Sequence, residues 1–211
     1  MIILSHRGYW EKPSQKNTKV AIQKSFQCGF GLETDLRDLA GSIVISHDPP
    51  IESSYDLDEL FTEYRSNCSD LIVALNIKAD GLQDKLKQKL NKYSIQNYFV
   101  FDMSVPDTIG YIKKGIRFYT RQSEYESTPV FYNRADGVWM DEFKEQWINE
   151  EIVEEHIRNK KKVCIVSPEL HGHKYKRRWD DYKKIERKLG SGHRIMLCTD
   201  HPDEARIYFN D

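Results

Sequence analysis

The sequence predicts a parallel α/β fold in one domain, closed into an eight-stranded barrel, and three observations predict it. Apolar runs of strand length alternate with segments of helical periodicity along the 211 residues, and eight such runs can be counted. One of them, Leu71-Ile72-Val73-Ala74-Leu75-Asn76-Ile77-Lys78, is apolar almost without interruption, as a strand covered on both faces must be. The length suits a single domain with a substantial core and lies at the short end of what such a barrel needs.

The first strand is Ile2-Ile3-Leu4, ending in His6-Arg7-Gly8. A polar loop containing Pro13 follows, and Asn17 or Thr18 can cap a helix in which Val20, Ala21, Ser25 and Cys28 recur at roughly helical spacing before Gly29 closes it. Gly31 to Leu39 is the second strand; Ala40-Gly41 then turns the chain into a short strand, Ser42 to Ser46, which delivers His47. A helix over Asp56 to Arg65 leads to the third strand, the long run at 71–78. Leu82 to Tyr93 is an amphipathic helix, Tyr98 to Phe101 the fourth strand, and Val105 to Lys114 a helix stopped by Gly115. Arg117 to Thr120 is the fifth strand and Gly137 to Met140 the sixth. Asn149 caps a helix to Lys161 with Ile152, Val153, His156 and Ile157 along one face, and Val163 to Val166 is the seventh strand. Asp180 to Leu189 is a helix closed by Gly190, and Arg194 to Cys198 is the eighth strand. No internal repeat or low-complexity segment interrupts this cadence.

The 32 Lys and Arg nearly cancel the 33 Asp and Glu, so no global field invites nucleic acid or a membrane surface, and a small anionic substrate needs local charges. No charged-then-apolar leader is present and no apolar run approaches the ~20 residues that span a bilayer, so a soluble cytoplasmic protein is expected. Cys28, Cys68, Cys164 and Cys198 lack metal-ligand spacing, and three lie in or beside apolar runs; they read as reduced structural thiols.

In a barrel, chemistry gathers at the C-terminal ends of the strands, and here those ends are polar: His6 and Arg7, Glu33 and Asp35, His47, Asn76 and Lys78, Arg121, Ser123 and Glu124, Asp141, Glu169 and His171, and Asp200. Glu33 and Asp35 are two apart on a strand, so both carboxylates share a face, and two acids on one face repel unless a cation lies between them. Imidazole titrates near neutrality, and hard oxygen ligands hold Mg2+ or Ca2+. Two strand-end histidines with a carboxylate pair therefore point to metal-assisted acid–base chemistry. A lone histidine is more often structural, but His6 followed by Arg7-Gly8, with a second His47-Asp48 element, reverses that preference.

His6-Arg7-Gly8, Asn17-Thr18 opening a helix, Glu33-Thr34-Asp35 and His47-Asp48 together resemble the glycerophosphodiester phosphodiesterase family, a branch of the phosphatidylinositol phospholipase C-like TIM barrels. Thr199-Asp200-His201-Pro202-Asp203 is similar to that family's closing strand end. The resemblance implies that a neighbouring hydroxyl of the substrate attacks phosphorus while His6 and His47 exchange protons with the attacking and leaving oxygens. It implies that Glu33 and Asp35 hold a divalent cation, Mg2+ or Ca2+, that Arg7 and Lys78 grip the phosphate, and that the stretch carrying His47 is a small insertion after the second strand. The expected substrate is a small glycerol- or polyol-phosphodiester, an activity of lipid metabolism. Three departures stand out. Asn76, in Asn76-Ile77-Lys78, occupies the place of the third acidic ligand, with Glu169 and Asp141 as candidates to compensate. Lys16 replaces an acid before Asn17-Thr18. The seventh strand runs into Ser167-Pro168-Glu169-Leu170-His171-Gly172-His173, and the basic run 173–179 that follows is expected to be a loop touching a second phosphate or an anionic head group.

Two rival functions fit the same residues. With Asn76 and Lys16 where acids are expected, a catalytically silent phosphate-ester binding protein would keep the grip without turnover. A metal-dependent isomerase or lyase would use Glu33 and Asp35 to steady an enediolate.

Overall fold

The computed structural model describes residues 1–67, 70–190 and 195–210. Cys68, and Arg194 at the start of the expected eighth strand, lie outside the described residues. The chain forms two compact units, Ser5–Phe118 and a second made of Met1–Leu4 with Tyr119 onward.

In the first unit, β2 (Gly31–Leu39) pairs in parallel with β5 (Val73–Ile77), and β5 in parallel with β6 (Tyr98–Phe101). The register sets Glu33 opposite Ala74 and Asp35 opposite Asn76. Every residue of β5 and β6 is buried, which is why Val73-Ala74-Leu75 and Tyr98-Phe99-Val100-Phe101 carry no alternation. Past Asp35, β2 turns antiparallel through β3 (Ser42–Ile45), which pairs with a two-residue β4 (Tyr55–Asp56). This hairpin is the expected insertion, with β4 an element the sequence reading did not contain. Helices α1 (Lys19–Gln27), α2 (Leu57–Asn67), α3 (Gln83–Lys92) and α4 (Val105–Lys113) follow strands as expected, α1 burying Ala21, Ile22 and Phe26.

In the second unit, β7 (Tyr119–Gln122), β8 (Gly137–Met140), β9 (Lys162–Val166) and β10 (Ile195–Thr199) form a parallel ladder, in that order. The opening residues of β1 (Ile2–His6) lie beside β10. Helices α5 (Glu150–Arg158), α6 (Lys176–Leu189) and α7 (Pro202–Asn210) complete it. Strand β7 falls two residues later than expected. Helix α6 starts four residues earlier and takes in most of the basic run, because Arg178, Trp179, Tyr182 and Ile185 recur at helical spacing on its buried face. Arg178 is no loop residue. Its Nε donates to Glu142 Oε2 at 2.8 Å, and Tyr182 Oη donates to the same oxygen at 2.7 Å. Lys176 pairs with Glu204 at 2.9 Å. Within the run, Arg178 thus has a structural role, whereas Lys174 and Arg177 are exposed. A buried charge needs such partners, since losing one costs about 3–5 kcal/mol.

Among the described residues no helix is long and apolar enough to cross a membrane, and Cys28, Cys164 and Cys198 form no disulfide.

His156 on α5 is buried, with Tyr132 Oη 2.9 Å from its Nδ1 and Gln122 Oε1 2.7 Å from its Nε2. Burial lowers its pKa below the usual 6.5. The unfolded chain therefore takes up a proton that the fold refuses, and the contribution of neutral His156 is present above pH 6.5 and lost as pH falls below it. His156→Gln should flatten the acid limb of the stability curve. Urea unfolding at pH 7.5, 6 and 5 should show the gap between wild type and variant narrowing as the pH drops; parallel curves would refute the assignment.

Candidate active site

The site in the N-terminal unit is built by a loop whose backbone is fixed before any side chain acts. Arg7 and Gly8 have φ of 58° and 90°, and Asn17 has φ of 60°. A Cβ on Gly8 would lie 2.8 Å from the carbonyl carbon of Ala21 and 2.9 Å from its Cβ, so only glycine fits this turn. Tyr9 N donates to Ala21 O at 2.8 Å and Asn17 N to Arg7 O at 2.8 Å, which sews the loop after β1 onto the start of α1. Thr18, of the two candidate caps, accepts from Ala21 N. Asn17 is thereby left for another task. Its Nδ2 donates to Asp35 Oδ2 at 2.7 Å while its Oδ1 accepts from Thr34 Oγ1 at 2.8 Å, holding the Asp35 carboxylate in one orientation.

Asp35 is fully buried and sits between two cations, Arg7 Nε at 2.9 Å and Lys78 Nζ at 3.6 Å. Lys78 also lies 3.8 Å from Asp102 Oδ2. Glu33, equally buried, accepts from Arg7 N at 3.2 Å and stands 3.9 Å from His6 Nε2. Burial, and then the negative charge of Asp35, push the Glu33 carboxyl up to about 8, against the opposing pull of Arg7 and Lys78.

Two acceptor atoms in this group, Asp35 Oδ1 and Asn76 Oδ1, are buried without a hydrogen-bond partner, and their residues face each other in register on β2 and β5. A buried oxygen left without a donor is costly, and a pair of them on adjacent strands fits the donor set of a hard divalent cation. Among the described residues no three His, Cys, Asp or Glu side chains cluster as a metal site. A cation here would thus rest on Glu33, Asp35 and the amide oxygen of Asn76.

His47 stands on the insertion. Ser46 N donates to Asp35 O at 3.0 Å and Arg37 Nε to His47 O at 2.9 Å, so the loop is tied to the strand that carries the acids. The imidazole is half-exposed, with Nδ1 2.9 Å from Asp48 Oδ1. His47, Arg7 and Asn17 line one open cleft of about 840 Å³.

The remaining strand-end candidates belong to the C-terminal unit and have partners there. Asp141 Oδ1 is 3.0 Å from His171 Nε2 and its Oδ2 3.3 Å from Arg121 Nε. Glu169 Oε1 accepts from Thr199 Oγ1 at 2.5 Å and from Asp200 N at 3.1 Å, and its Oε2 accepts from Ser167 Oγ. Glu124 accepts from the backbone N–H groups of Phe143, Lys144 and Glu145. Sequence reading missed two residues of the N-terminal site. Asn17 was read only as a cap, and nothing in the sequence marks its reach to Asp35. Asp102 does carry a signal, because it follows the apolar run of β6 directly.

Comparison of the sequence with protein-family models and with curated proteins finds no match. Solved structures do match. A Galdieria sulphuraria protein assigned as a glycerophosphodiester phosphodiesterase is 17% identical with a TM-score of 0.77, over 100% of this chain and 98% of that one. Glycerophosphodiester phosphodiesterases from Agrobacterium tumefaciens and Thermotoga maritima are 15% and 16% identical, with TM-scores of 0.68 and 0.64. The first covers 99% of this chain and 98% of its own, the second 98% of both. At such identities the likeness establishes the fold, the expected (β/α)8 TIM barrel.

Two expectations follow from the site's construction. Gly8→Ala should destabilise the fold by about 2 kcal/mol or more, from the left-handed φ together with the contact on Ala21, as read by chemical denaturation; a neutral outcome would mean that the loop is not held as described. Glu33 binds its proton more tightly folded than unfolded, so the stability it contributes is present below about pH 4.5 and lost as pH rises through 8. In chelator-treated protein, Glu33→Gln should therefore gain stability relative to wild type between pH 5 and pH 8.5. A pH-independent difference in thermal midpoint would count against the raised pKa.

Proposed function

We propose that the chain is a metal-dependent phosphodiesterase that hydrolyses a small glycerol- or polyol-phosphodiester. The observation that carries this reading is the pair of buried acceptors, Asp35 Oδ1 and Asn76 Oδ1, left without donors in a group that also holds Arg7, Lys78 and Glu33. Oxygen acceptors beside a forked guanidinium and an ammonium suit a cation and a phosphate held side by side. The whole-length fold likeness to glycerophosphodiester phosphodiesterases supports the same reaction class.

In this reading Glu33, Asp35 and Asn76 hold Mg2+ or Ca2+, whose chemistry when bound is to neutralise charge on the phosphoryl oxygens. Arg7 and Lys78 orient the diester. One of His6 and His47 removes the proton from the substrate's neighbouring hydroxyl as that oxygen bonds to phosphorus. The other gives a proton to the departing oxygen as its bond to phosphorus breaks. Water then opens the cyclic diester with the two imidazoles in exchanged roles. His6 Nε2 stands 3.9 Å from Glu33 Oε2 and His47 Nδ1 2.9 Å from Asp48 Oδ1, contacts that orient the two rings. Asn76 favours one second reading, a protein that binds the diester and does not cleave it, since an amide in place of an acid lowers the charge available to a cation.

Product release from glycerophosphocholine, glycerophosphoinositol, CDP-glycerol and a chromogenic aryl diester, with Mg2+, Ca2+, Mn2+ or EDTA, tests the proposal. Metal-dependent turnover should fall by about 10³-fold or more in His6→Ala and in His47→Ala while both variants stay folded. Activity retained in either variant refutes the mechanism, and tight binding with no turnover under any ion selects the second reading.

A further inference from the structure

The strand ends of the C-terminal unit carry a cluster that the proposed reaction does not use. His171, on the turn after β9, sets its Nε2 3.0 Å from Asp141 Oδ1. Asp141, at the end of β8, is buried; its Oδ2 lies 3.3 Å from Arg121 Nε, and its backbone O accepts from Trp147 Nε1 at 2.8 Å. A carboxylate on Nε2 makes that nitrogen the donor, so in the neutral imidazole Nδ1 carries the lone pair and accepts. Among the described residues Nδ1 has no partner, and the side chain is 19% exposed. His171 thus presents an acceptor whose direction is fixed from behind by Asp141.

Beside the imidazole lies an aromatic surface. Phe143 packs on His171 with ring centroids 4.5 Å apart, and Tyr125 packs on Phe143 at 6.1 Å. Tyr125 is 63% exposed, yet the turn that bears it is held: Tyr125 N donates to Ser123 Oγ at 3.2 Å, and Glu124 Oε2 accepts from Phe143 N at 3.2 Å. Rigid aromatic faces next to a few directed polar groups are the makings of a ligand site. The ring planes turn by 46° from Tyr125 to Phe143 and by 55° from Phe143 to His171, so the surface is curved. A planar base needs a flat face on which to stack, whereas the puckered C–H face of a pyranose or cyclitol follows a curve. The hydroxyls of such a ring donate as well as accept, which suits the lone pair on His171 Nδ1.

We propose that Tyr125, Phe143 and His171 form a binding site for a pyranose or cyclitol ring, which lays one C–H face on the two aromatic rings and donates one hydroxyl to His171 Nδ1. Asp141 and Arg121 hold the imidazole in place behind it. Such binding requires neither the cation nor the diester chemistry of the N-terminal site.

Saturation-transfer difference NMR in EDTA, with methyl α-D-glucopyranoside, myo-inositol and adenosine as probes, tests this in wild type, Tyr125→Ala and His171→Gln. The exposed Tyr125 can be truncated without unfolding the chain. Glutamine keeps a donor for Asp141 where His171 Nε2 stands and lacks the Nδ1 acceptor. Wild type should bind at least one of the two polyols saturably, with transfer strongest at the C–H protons of one ring face. Affinity should fall about tenfold in Tyr125→Ala, from the lost aromatic face, and about fivefold in His171→Gln, from the lost hydrogen bond. Absence of binding to both polyols, adenosine bound in preference to them, or equal affinity in the three proteins would overturn the assignment.

Discussion

The N-terminal unit depends on the burial of the Asp35 carboxylate. Taking an ionised carboxylate out of water costs several kcal/mol unless opposite charge and hydrogen bonds surround it. Here Arg7 and the Asn17 amide supply them from the loop after β1 and Lys78 from the end of β5, while the insertion is tied to the backbone of the strand that carries Asp35. Each segment is then held for its own reason. The loop after β1 is fixed by the contact of Gly8 with Ala21, β5 by its parallel register on β2, and the insertion by Ser46 on Asp35 O. The polar centre thus organises the surrounding backbone, while Leu32 and Leu36, on the other face of β2, are buried in the apolar core.

The second acid shows what this arrangement does not satisfy. Asp35 pairs with Arg7 at 2.9 Å and with Lys78 at 3.6 Å, and Glu33 accepts from a backbone N–H and stands 3.9 Å from a histidine. Two carboxylates on one face of a strand cannot both ionise at low cost with so little positive charge between them, and the one with weaker support keeps its proton. The site is therefore open in its electrostatics as well as its geometry: burial and Asp35 raise the Glu33 carboxyl, and Asp35 Oδ1, which has Lys78 Nζ at 3.6 Å, and Asn76 Oδ1 lack hydrogen-bond donors. That combination is the physical reason to look for a cation in this place.

Much of this was legible in the sequence because it obeys short periods. The alternation of Glu33 and Asp35, the uninterrupted apolar run of β5 and the abrupt polar ends of the strands each follow from local geometry. What escaped depends on contacts distant in sequence. Asn17 looks like a cap beside Thr18, and its role is set by Asp35 eighteen residues away. The basic run at Lys174 to Arg178 looks like a solvated loop because charge masks the spacing of Arg178, Trp179, Tyr182 and Ile185; Glu142, thirty-six residues earlier, makes Arg178 a buried helix residue. Composition alone cannot reveal a buried charge, since the partner that permits its burial is chosen by the fold.

Of the seven non-glycine residues at positive φ among the described residues, three lie at this charged group. Arg7, Asn17 and Asp102 all have positive φ without being glycine, and all three border the Asp35 and Lys78 pair. A left-handed conformation at such residues costs on the order of 1 kcal/mol each and persists only where the surroundings over-determine it. At Arg7 the backbone N–H meets Glu33 while the guanidinium reaches Asp35. At Asp102 the left-handed conformation ends β6 just where a carboxylate can share Lys78 with Asp35, dividing the ammonium between two acids. A lysine held between two partners at 3.6 and 3.8 Å is committed to neither, and in the proposed reaction it would turn to the phosphate at less cost than one locked in a single short ion pair.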